Sequence, residues 1–319
     1  MADRDSFGAD TTVDEVLEGI DLSGQVAIVT GGSGGLGAEA ARGLAQAGAA
    51  VTLTARDMAK GEATAESIRN HTGNTAVHVM QLELAQPASV RAFAKGWLAE
   101  HGALNLLLNN AGVMACPLAR TDEGWEMQFA TCHLGHFLLT ALLAEALEAG
   151  APARIVNVSS GGHRLSSMRF DDPHFEASEY DKWLAYGQAK TANVLHAVEF
   201  DRRLQGRGVR AFAIHPGAIV TDLGRHLTRD DMAAVQARAP GGKGLQFKSV
   251  EAGAATEVYA ATAPELAAQG GCYLEDCHVA ALGDAPGAMA GVMPYALDPD
   301  AAERLWTLSE QTLGESFAL

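Results

Sequence analysis

Short apolar runs alternate along this chain with longer stretches of helical periodicity, and this alternation constrains the fold more than any other feature of the sequence. The apolar runs are typical of buried strands and span residues 26–30, 51–55, 76–82, 104–109, 154–159 and 209–215. Helical patterns include residues 36–47, 89–100, 123–148 and 180–205. Strands separated by helices pair in parallel, and right-handed crossovers place the helices on both faces. We therefore expect an α/β fold with a single doubly wound parallel sheet and a ligand crevice at the carboxyl ends of its strands.

The chain length fits one large domain. Its 319 residues are 48% hydrophobic, which is enough to bury a full core. Residues 1–24 are interpreted as a polar N-terminal extension, and residues 25–319 as a single Rossmann-type domain. Two segments, about 163–184 and 221–250, are longer than plain connections and are expected to cover a pocket.

Charge and hydropathy argue against several classes of partner. The formal net charge is −16 without a Lys/Arg cluster, so we expect no binding to nucleic acid or to a membrane. No apolar run reaches the roughly 18–20 residues of a membrane span, which favours a soluble, cytoplasmic protein. The cysteines, Cys116, Cys132, Cys272 and Cys277, are too scattered for a disulfide framework, and their spacing predicts no metal site.

A glycine-rich loop directly follows the first strand and precedes a helix. It reads Thr30-Gly31-Gly32-Ser33-Gly34-Gly35-Leu36-Gly37. Glycines let backbone N–H groups approach a pyrophosphate closely, and the positive end of the helix dipole favours the same anion. Because the loop lies in the first strand–helix unit, it predicts a dinucleotide site. The residues expected to line this site are Thr30, Gly31, Ser33, Gly35, Leu36 and Gly37.

Arg56 stands at the end of the second strand, where NAD-binding chains place an acid that holds the ribose hydroxyls. An arginine fork suits a 2′-phosphate, and charge-assisted hydrogen bonds of ~1.5–3 kcal/mol correspond to about a ten- to hundredfold preference. We therefore expect NADP(H) as the cofactor. Two alternatives remain open: Arg56 stacks on adenine or is solvated, and the protein uses NAD.

Tyr186 and Lys190 are four residues apart in a predicted helix, so their side chains leave the same face. Free tyrosine titrates near ~10, and a cation within ~4–6 Å lowers that value by roughly 1–3 units. The pair therefore predicts a tyrosine that exchanges a proton near neutral pH. The spacing alone also fits a surface pair, so the remaining motifs must decide between these interpretations.

Several further motifs stand at the ends of predicted strands, in a fixed order. They are Asn109-Asn110-Ala111-Gly112 after the fourth strand, Ser159-Ser160 after the fifth, and Pro216-Gly217-Ala218-Ile219-Val220-Thr221 after the sixth. Together with the glycine-rich loop and the pair Tyr186/Lys190, they resemble the short-chain dehydrogenase/reductase family. Residues 133–140 and the gap of 26 positions between Ser160 and Tyr186 resemble its retinol-dehydrogenase-like branch.

The resemblance implies an oxidoreductase that moves a hydride between nicotinamide C4 and a carbonyl carbon. Tyr186 would exchange a proton with the substrate oxygen, and Lys190 would hold the nicotinamide ribose and lower the pKa of Tyr186. Ser160 would hydrogen-bond the same oxygen as charge develops on it. The family places the second serine at the strand's end, which leaves Ser159 a packing role.

The resemblance also implies the remaining cofactor contacts. These are Arg56, Glu83 and Leu84 near the adenosine, Asn110, Ala111 and Gly112 after the fourth strand, Tyr186 and Lys190 at the ribose, and Pro216, Gly217, Ile219 and Thr221 after the sixth strand. Ile219 and Thr221 would orient the carboxamide. Asn109 either shapes the loop beside the cofactor or has a purely structural role.

The sharpest departure from the family is Cys132, which precedes His133 where an asparagine is usual. In the family the backbone carbonyl of that position holds a water that links the lysine to solvent, and the amide side chain braces a helix irregularity. Cysteine keeps the carbonyl but lacks strong side-chain hydrogen bonds. We therefore predict that Cys132 serves the proton relay in weakened form. A reactive thiol and a small buried hydrophobe are the other interpretations of this residue.

The substrate side is expected to be apolar. Met114, Cys116, His163 and Trp183 are the residues expected to border the substrate. A hydrophobic pocket with one polar focus fits a lipophilic ketone, aldehyde or alcohol, and NADP(H) favours carbonyl reduction. His133, His136 and His163 are interpreted as interior or supporting residues, since no carboxylate or thiolate spacing completes a metal site.

Two other functions are compatible with these motifs. The first is a cofactor-binding protein with little turnover, motivated by Cys132, and the second is reduction of a carbon–carbon double bond on the same scaffold. Family members often pair through the helices that carry the asparagine position and Tyr-x-x-x-Lys. This implies a homodimer or homotetramer, although the helix faces do not distinguish pairing from core burial.

Overall fold

The computed structural model describes residues 6–237, 246–283 and 290–319. Its strands are β1 (Val26–Val29), β2 (Ala50–Ala55), β3 (Val77–Gln81), β4 (Leu106–Asn109), β5 (Ala153–Val158), β6 (Val209–His215), β7 (Cys272–Glu275) and β8 (His278–Val279). Its α-helices are α1 (Val13–Val16), α2 (Gly35–Gln46), α3 (Met58–Thr72), α4 (Pro87–Glu100), α5 (Met127–Phe129), α6 (Gly135–Leu142), α7 (Ala144–Ala149), α8 (Lys182–Leu204), α9 (Arg229–Ala237), α10 (Val250–Thr262) and α11 (Pro299–Leu313). A π-helical turn (Ala130–Leu134) joins α5 to α6, and a 3-10 turn (Gly161–Leu165) follows β5. None of the helices in the described ranges is both long enough and apolar enough to cross a membrane.

One sheet contains all eight strands of the described residues, in the order β3-β2-β1-β4-β5-β6-β7-β8. Every neighbouring pair is parallel except β7 and β8, which pair antiparallel. Nearly all residues of β1, β4 and β5 are buried, because helices cover both faces of the sheet. The prediction of a doubly wound parallel sheet is confirmed, and the antiparallel end strand β8 is additional to it.

The strand order reverses at β1. From β1 the chain continues through β2 to β3 on one side, then returns to place β4, β5, β6 and β7 on the other side. At such a switch point the connections after adjacent strands diverge to opposite faces and leave a crevice at the carboxyl edge. The strand-end motifs of the sequence all follow strands of this sheet at that edge. The pairing of the strands therefore sets the distances among them.

Two apolar layers enclose the sheet. One packs α1, α2 and α10 against it around Leu44, Leu53 and Val258. The other packs α4, α6, α8 and α11 against it and contains Trp97 and Phe137. Full burial of a side chain of this kind stabilises the fold by roughly 1.5–3 kcal/mol. These layers hold the strands in place. They cover the faces of the sheet, so polar side chains can gather at its carboxyl edge.

Residues 6–24 differ from the polar extension expected from the sequence. Thr12 and Glu15 form a reciprocal capping box that starts α1, and Val13 and Val16 are fully or almost fully buried. α1 packs against α2 and α10 as part of the core. Val13 and Val16 lie on one face of a helical turn, and Leu22 is buried in the same layer, with Phe7, Leu17 and Ile20 packed against it. A segment whose overall composition is polar can therefore dock through a few well-placed apolar residues.

The single helix expected over residues 123–148 is wrong in its start and in its continuity. The carboxylate of Glu126 accepts the N–H groups of Gln128 and Phe129, so α5 begins only after this cap. The π-turn then follows, and Leu143, with φ −98° and ψ 3°, separates α6 from α7. Apolar periodicity runs through all of these breaks, which is why the sequence pattern does not reveal them.

The C-terminal helix α11 lies across α8. Leu305 and Trp306 of α11 are buried, and the guanidinium of Arg203 on α8 lies 3.8 Å from the centroid of the Trp306 ring. Phe200 of α8 and Phe137 of α6 contact the same indole, with ring centroids 5.0 and 4.9 Å away. The chain thus covers one face of α8 with its own final helix.

Candidate active site

The glycine-rich loop lies between β1 and α2 at the switch point of the sheet. Gly37 packs closely against the start of the loop and against Asn110. An ideal Cβ on Gly37 would lie 2.4 Å from Asn110 Nδ2 and 2.7 Å from Gly31 O, so only glycine fits without displacing these neighbours. Helix α2 starts after Gly34, which offers no side-chain hydrogen bond to the first turn. The N–H groups of that turn therefore remain available to an anion such as a pyrophosphate.

The buried hydroxyl of Thr30 joins this loop to the motif after β4. Thr30 Oγ1 accepts the N–H groups of Asn110 at 2.9 Å and Ala111 at 3.0 Å, and Asn110 Nδ2 donates to Thr30 O at 2.7 Å. Asn109 is buried, and its amide donates to Asn157 Oδ1 at 2.8 Å. This geometry fits the structural interpretation of Asn109, whereas Asn110 shapes the edge of the loop.

The predicted adenosine contacts stand at the ends of β2 and β3. The side chain of Arg56 is 65% exposed, and Arg56 Nη1 lies 3.7 Å from Glu83 Oε2. Leu84 is buried against α6, where an ideal Cβ on Gly135 would come within 2.3 Å of the Leu84 carbonyl oxygen. Arg56 therefore presents its guanidinium at the surface of the crevice, with Glu83 as a nearby acid.

Lys60 is a second cation at this end, and sequence reasoning missed it. Its Nζ would lie 3.6 Å from an ideal Cβ on Gly34, and it pairs with Asp222 Oδ2 at 3.0 Å. The signal in the sequence is its spacing of four residues from Arg56, in the first turn of a helix that begins just after a strand.

Ser160 and Tyr186 come together at the carboxyl end of β5. The Ser160 hydroxyl lies close enough to the Tyr186 phenol to stabilise its ionised form, and Ser160 Oγ accepts the N–H of Gly162 at 3.0 Å. Ser159 is oriented differently, because its hydroxyl donates to the backbone oxygen of Lys190 at 2.7 Å. Ser160 is therefore the serine of the pair, and Ser159 ties β5 to α8.

Gly162 permits this approach and was not singled out from the sequence. An ideal Cβ on Gly162 would lie 2.6 Å from Tyr186 Cε1 and 3.3 Å from Ser160 Oγ. A side chain at this position would push the phenol ring away from the serine hydroxyl. The available signal was Gly161-Gly162 directly after Ser160, and Gly162 is the glycine that lets the 3-10 turn pass so close to α8.

Burial raises the pKa of Tyr186 above its usual value, and the hydrogen bond with Ser160 only partly offsets this rise. Lys190 Nζ lies 5.7 Å from the centroid of the Tyr186 ring and donates to Val158 O at 2.9 Å. Burial also lowers the pKa of Lys190. The expected lowering of the Tyr186 pKa by Lys190 is therefore wrong, because removal from water raises this pKa by more than the Ser160 hydroxyl lowers it. Tyr186 carries its proton at neutral pH.

Cys132 lies in the π-turn beside the same lysine. An ideal Cβ on Gly112 would lie 3.4 Å from Cys132 Sγ and 3.5 Å from Lys190 Nζ, so both side chains flank Gly112. The thiol is fully buried and donates weakly to Val113 O at 3.5 Å. Its backbone carbonyl accepts a hydrogen bond from His136 Nδ1 at 3.0 Å. The helix irregularity thus forms without an asparagine side chain.

His215, which directly precedes Pro216, fixes the ends of β5 and β6 and was also missed. Its Nδ1 accepts the N–H groups of Gly161 at 3.1 Å and Gly217 at 3.3 Å. Since one imidazole nitrogen serves both turns, the turn that follows Ser160 and the Pro-Gly motif are held side by side. A histidine immediately before a strand-end Pro-Gly pair was the available sequence signal.

The segment after β6 reaches across the crevice. Thr221 Cγ2 would lie 3.4 Å from an ideal Cβ on Gly35, and Leu223 Cδ1 would lie 4.0 Å from one on Gly112. Ile219 packs against Gly253 of α10. Residues 238–245 of the expected covering segment lie outside the described residues. The described part already places Thr221 over the glycine-rich loop.

The residues predicted to border the substrate have different places. Met114 and Trp183 are partly exposed, whereas Cys116 is buried, which raises the pKa of its thiol to about 11. His163 is fully buried: its Nδ1 donates to Ser160 O at 2.7 Å, and its Nε2 accepts the N–H of Met293 at 3.1 Å. These bonds place His163 behind Ser160, as a support of the serine turn.

The chain is similar to known proteins in both sequence and fold. A family model described as short chain dehydrogenase matches residues 25–232. Retinol dehydrogenase 12 of Homo sapiens is 41% identical over 297 residues, which cover 92% of this chain and 88% of that protein. A Streptomyces lividans protein named "Probable oxidoreductase" is 44% identical over 299 residues, which cover 92% of this chain and 99% of that protein. A crystal structure of a protein from Mycobacterium Paratuberculosis matches with a TM-score of 0.74 and 33% identity over 94% of this chain and 97% of that chain.

The buried histidines predict that stability falls in mild acid. Burial lowers the pKa of His136, His163 and His215 to about 4 and that of His133 to about 3, from the usual histidine value of about 6.5. Between these values the unfolded chain binds more protons, so the free energy of unfolding decreases as the pH falls from about 6.5 to 4. We expect the Tm from scanning fluorimetry at constant ionic strength to fall over this range.

Two variants check the origin of this slope. Glu257, whose pKa burial raises to about 8, opposes the trend, but several histidines outweigh this carboxyl. His133→Leu removes one titrating group and should reduce the slope by about 1.4 kcal/mol per pH unit. His78→Gln, at an exposed position of β3, should leave it unchanged. A free energy of unfolding that is constant between pH 6.5 and 4 would contradict the prediction.

Proposed function

The chain belongs to the short-chain dehydrogenase/reductase family, in its retinol-dehydrogenase-like branch, and we propose that it transfers hydride between NADP(H) and a lipophilic ketone, aldehyde or alcohol. As a member it is a nicotinamide-dependent oxidoreductase that acts on CH–OH or C=O groups of a small-molecule substrate. Beyond this, we infer the cofactor preference, the substrate class and the roles of individual residues from the geometry of the site.

The approach of the Ser160 and Tyr186 side chains to each other beside Gly162 carries the proposal. Two hydroxyl-bearing side chains that meet at the carboxyl edge of the sheet, with the ammonium of Lys190 5.7 Å from the phenol ring, are suited to bind one carbonyl oxygen together. The glycine-rich loop and the uncapped end of α2 stand at the same edge and fit a dinucleotide. A polar focus of this kind beside a nucleotide site supports carbonyl chemistry.

Tyr186 acts as the proton donor in carbonyl reduction. Because burial keeps the phenol protonated at neutral pH, it is in the form that protonates an oxygen on which negative charge develops. When bound, NADPH supplies the hydride that reduces the carbonyl carbon. Ser160 donates a hydrogen bond to the same oxygen, and the N–H of Gly162 orients the serine hydroxyl.

Lys190 holds the ribose and returns a proton to Tyr186. Its ammonium is buried and close to both the phenol ring and Cys132. The Cys132 carbonyl has two acceptor positions, and the imidazole of His136 occupies one of them. The second position serves the proton relay to solvent, which operates in weakened form because cysteine lacks the strong side-chain hydrogen bonds of asparagine.

NADP(H) suits the adenosine end better than NAD(H). Arg56 and Lys60 are cations at the edge of the glycine-rich loop, and both suit a 2′-phosphate. Their protein partners, Glu83 and Asp222, form exposed ion pairs that contribute about 0–1 kcal/mol each. A phosphate dianion competes readily with pairs of this strength.

A lipophilic substrate fits the apolar side chains that are exposed in the segments after β4, β5 and β6. Leu118 follows β4, Leu184 lies in the first turn of α8 and Val220 follows β6, and all three are exposed apolar side chains at the carboxyl edge. Retinol, for which the human relative is named, is a lipophilic alcohol. Both observations support a substrate of this class.

Tyr186→Phe tests the assignment of the acid. Purified protein with NADPH should reduce members of a panel of bulky ketones and aldehydes, measured by the loss of NADPH absorbance. The variant should lose at least ~10²-fold in kcat, because it lacks the proton donor, while it still binds NADPH in a fluorescence titration. Tyr259→Phe on α10, a buried tyrosine remote from the crevice, is the matched control and should keep its kcat.

The same assay separates the alternatives. NADPH binding without turnover of any compound would identify a cofactor-binding protein. Formation of the saturated ketone from a conjugated enone would identify a double-bond reductase. Full activity of Tyr186→Phe would remove the phenol from the role of acid.

Arg56→Ala tests the cofactor preference. Loss of a charge-assisted contact to the 2′-phosphate should raise the Kd for NADPH about ten- to hundredfold and leave the Kd for NADH within about twofold. Arg207→Ala, which removes an exposed arginine paired with Glu148, is the control. An equal rise for both cofactors would mean that Arg56 stacks on adenine, and no change for either would mean that it is solvated.

Cys132→Asn tests whether the thiol has its own task. Asparagine has a volume close to that of cysteine and restores the side-chain amide that the family uses, so we expect equal or faster turnover. The measurement is kcat with NADPH and the best substrate of the panel. Cys277→Ser, at another buried cysteine, controls for loss of a thiol. A large loss of kcat in Cys132→Asn alone would show that the sulfur itself takes part.

A further inference from the structure

His136, in α6, connects two parts of the site that no strand pairing joins directly. Its side chain is 1% exposed and lies between the π-turn and the glycine-rich loop. Nδ1 is 3.0 Å from the backbone oxygen of Cys132, and Nε2 is 2.9 Å from Thr30 Oγ1. One imidazole ring thus spans from the turn beside Lys190 to the loop that fits a dinucleotide.

The two partners fix the tautomer of this ring. A carbonyl oxygen only accepts, so His136 Nδ1 carries the proton and donates to Cys132 O. Burial lowers the pKa of His136 to about 4, partly offset by the hydrogen bond to the Cys132 carbonyl and strengthened by repulsion from Lys190, so at neutral pH the ring carries only this one proton. Nε2 is then an acceptor, and the hydroxyl of Thr30 donates to it.

The donation from Thr30 orders the amides on its other side. With its single proton directed at His136 Nε2, Thr30 Oγ1 has its lone pairs for the N–H groups of Asn110 and Ala111, at 2.9 and 3.0 Å. Leu108 O is a competing acceptor for that proton, but it lies farther away, at 3.3 Å. The ring therefore decides which way the hydroxyl points, and with it the hydrogen bonds of the motif after β4.

We propose that His136 is a positioning residue that holds the motif after β4 through Thr30 and the proton relay through the Cys132 carbonyl. The inference rests on the proposed function for its catalytic consequence only. Loss of the hydrogen bond to Thr30 should weaken the bonds of the Asn110 and Ala111 N–H groups, which border the cofactor. Loss of the Cys132 end should free the carbonyl in the π-turn and disturb the relay at Lys190. A residue that merely fills space would not separate these two effects.

Two amide variants each remove one of the two hydrogen bonds of His136. His136→Asn places an amide nitrogen near the position of Nδ1 and keeps the bond to Cys132 O, but it does not reach Thr30. His136→Gln places its oxygen near the position of Nε2 and keeps the bond from Thr30, but it abandons Cys132. His133→Gln is the matched control, because His133 is equally buried in the π-turn and bonds to Ser309 Oγ at 2.8 Å, away from the loop.

The first readout needs no cofactor and no substrate. Hydrogen exchange of the Asn110 and Ala111 amides in the free protein should be about tenfold faster in His136→Asn than in wild type, and near the wild-type rate in His136→Gln and His133→Gln. Thr30→Val should speed exchange by a similar factor, and the double variant His136→Asn/Thr30→Val should add little to it. Equal exchange in all three histidine variants, or additive effects in the double variant, would overturn the inference.

The second readout separates cofactor binding from turnover. His136→Asn should raise the Kd for NADPH about tenfold with kcat within about twofold, and His136→Gln should lower kcat about tenfold with the Kd nearly unchanged. The same change of both constants in the two variants would overturn the division of roles. Wild-type protein that binds no NADPH would refute the proposed function and leave the exchange result to judge His136 alone.

Discussion

The parallel register of β1, β4, β5 and β6 is the constraint on which the site depends. Val29 pairs with Leu108 and Val158 pairs with Ile214, so adjacent strands end level with one another at the same edge of the sheet. Thr30 and Ser160, which directly follow β1 and nearly follow β5, are therefore close neighbours of the turns after β4 and β6 without any long loop. A shift of one residue in either pairing would turn these side chains to the opposite face.

The sequence predicts well those features of the site that lie within one short stretch of the chain. The glycine-rich loop, Ser160 and the spacing of Tyr186 and Lys190 each belong to a short motif at the end of one element, and strand order then brings them together. The support of Ser160 is not local, since His163 bonds to Met293, 130 positions away. The pKa of Tyr186 is not local either, because it depends on how completely surrounding segments exclude water.

Neutral imidazoles recur around the hydroxyl pair as links between backbone segments. His163 joins the serine turn to the C-terminal part of the chain, and His215 joins the turns after β5 and β6. Inside a medium of low polarity such hydrogen bonds are stronger than in water, and their geometry is fixed before a ligand arrives. Dipoles set in advance cost no rearrangement when charge develops on a carbonyl oxygen. The bonds that these histidines make join residues 54 and 130 positions apart, so the sequence alone does not reveal them.

The position of α11 has a consequence for assembly. A second subunit that approached α8 from the side of Trp306 would meet the indole and the Arg203 guanidinium stacked on it, instead of bare α8. To contact that face of α8 directly, the second subunit would have to displace α11 and expose Leu305 and Trp306 to water. Any quaternary contact that leaves α11 in place must use the outer surface of this helix or a different side of the subunit.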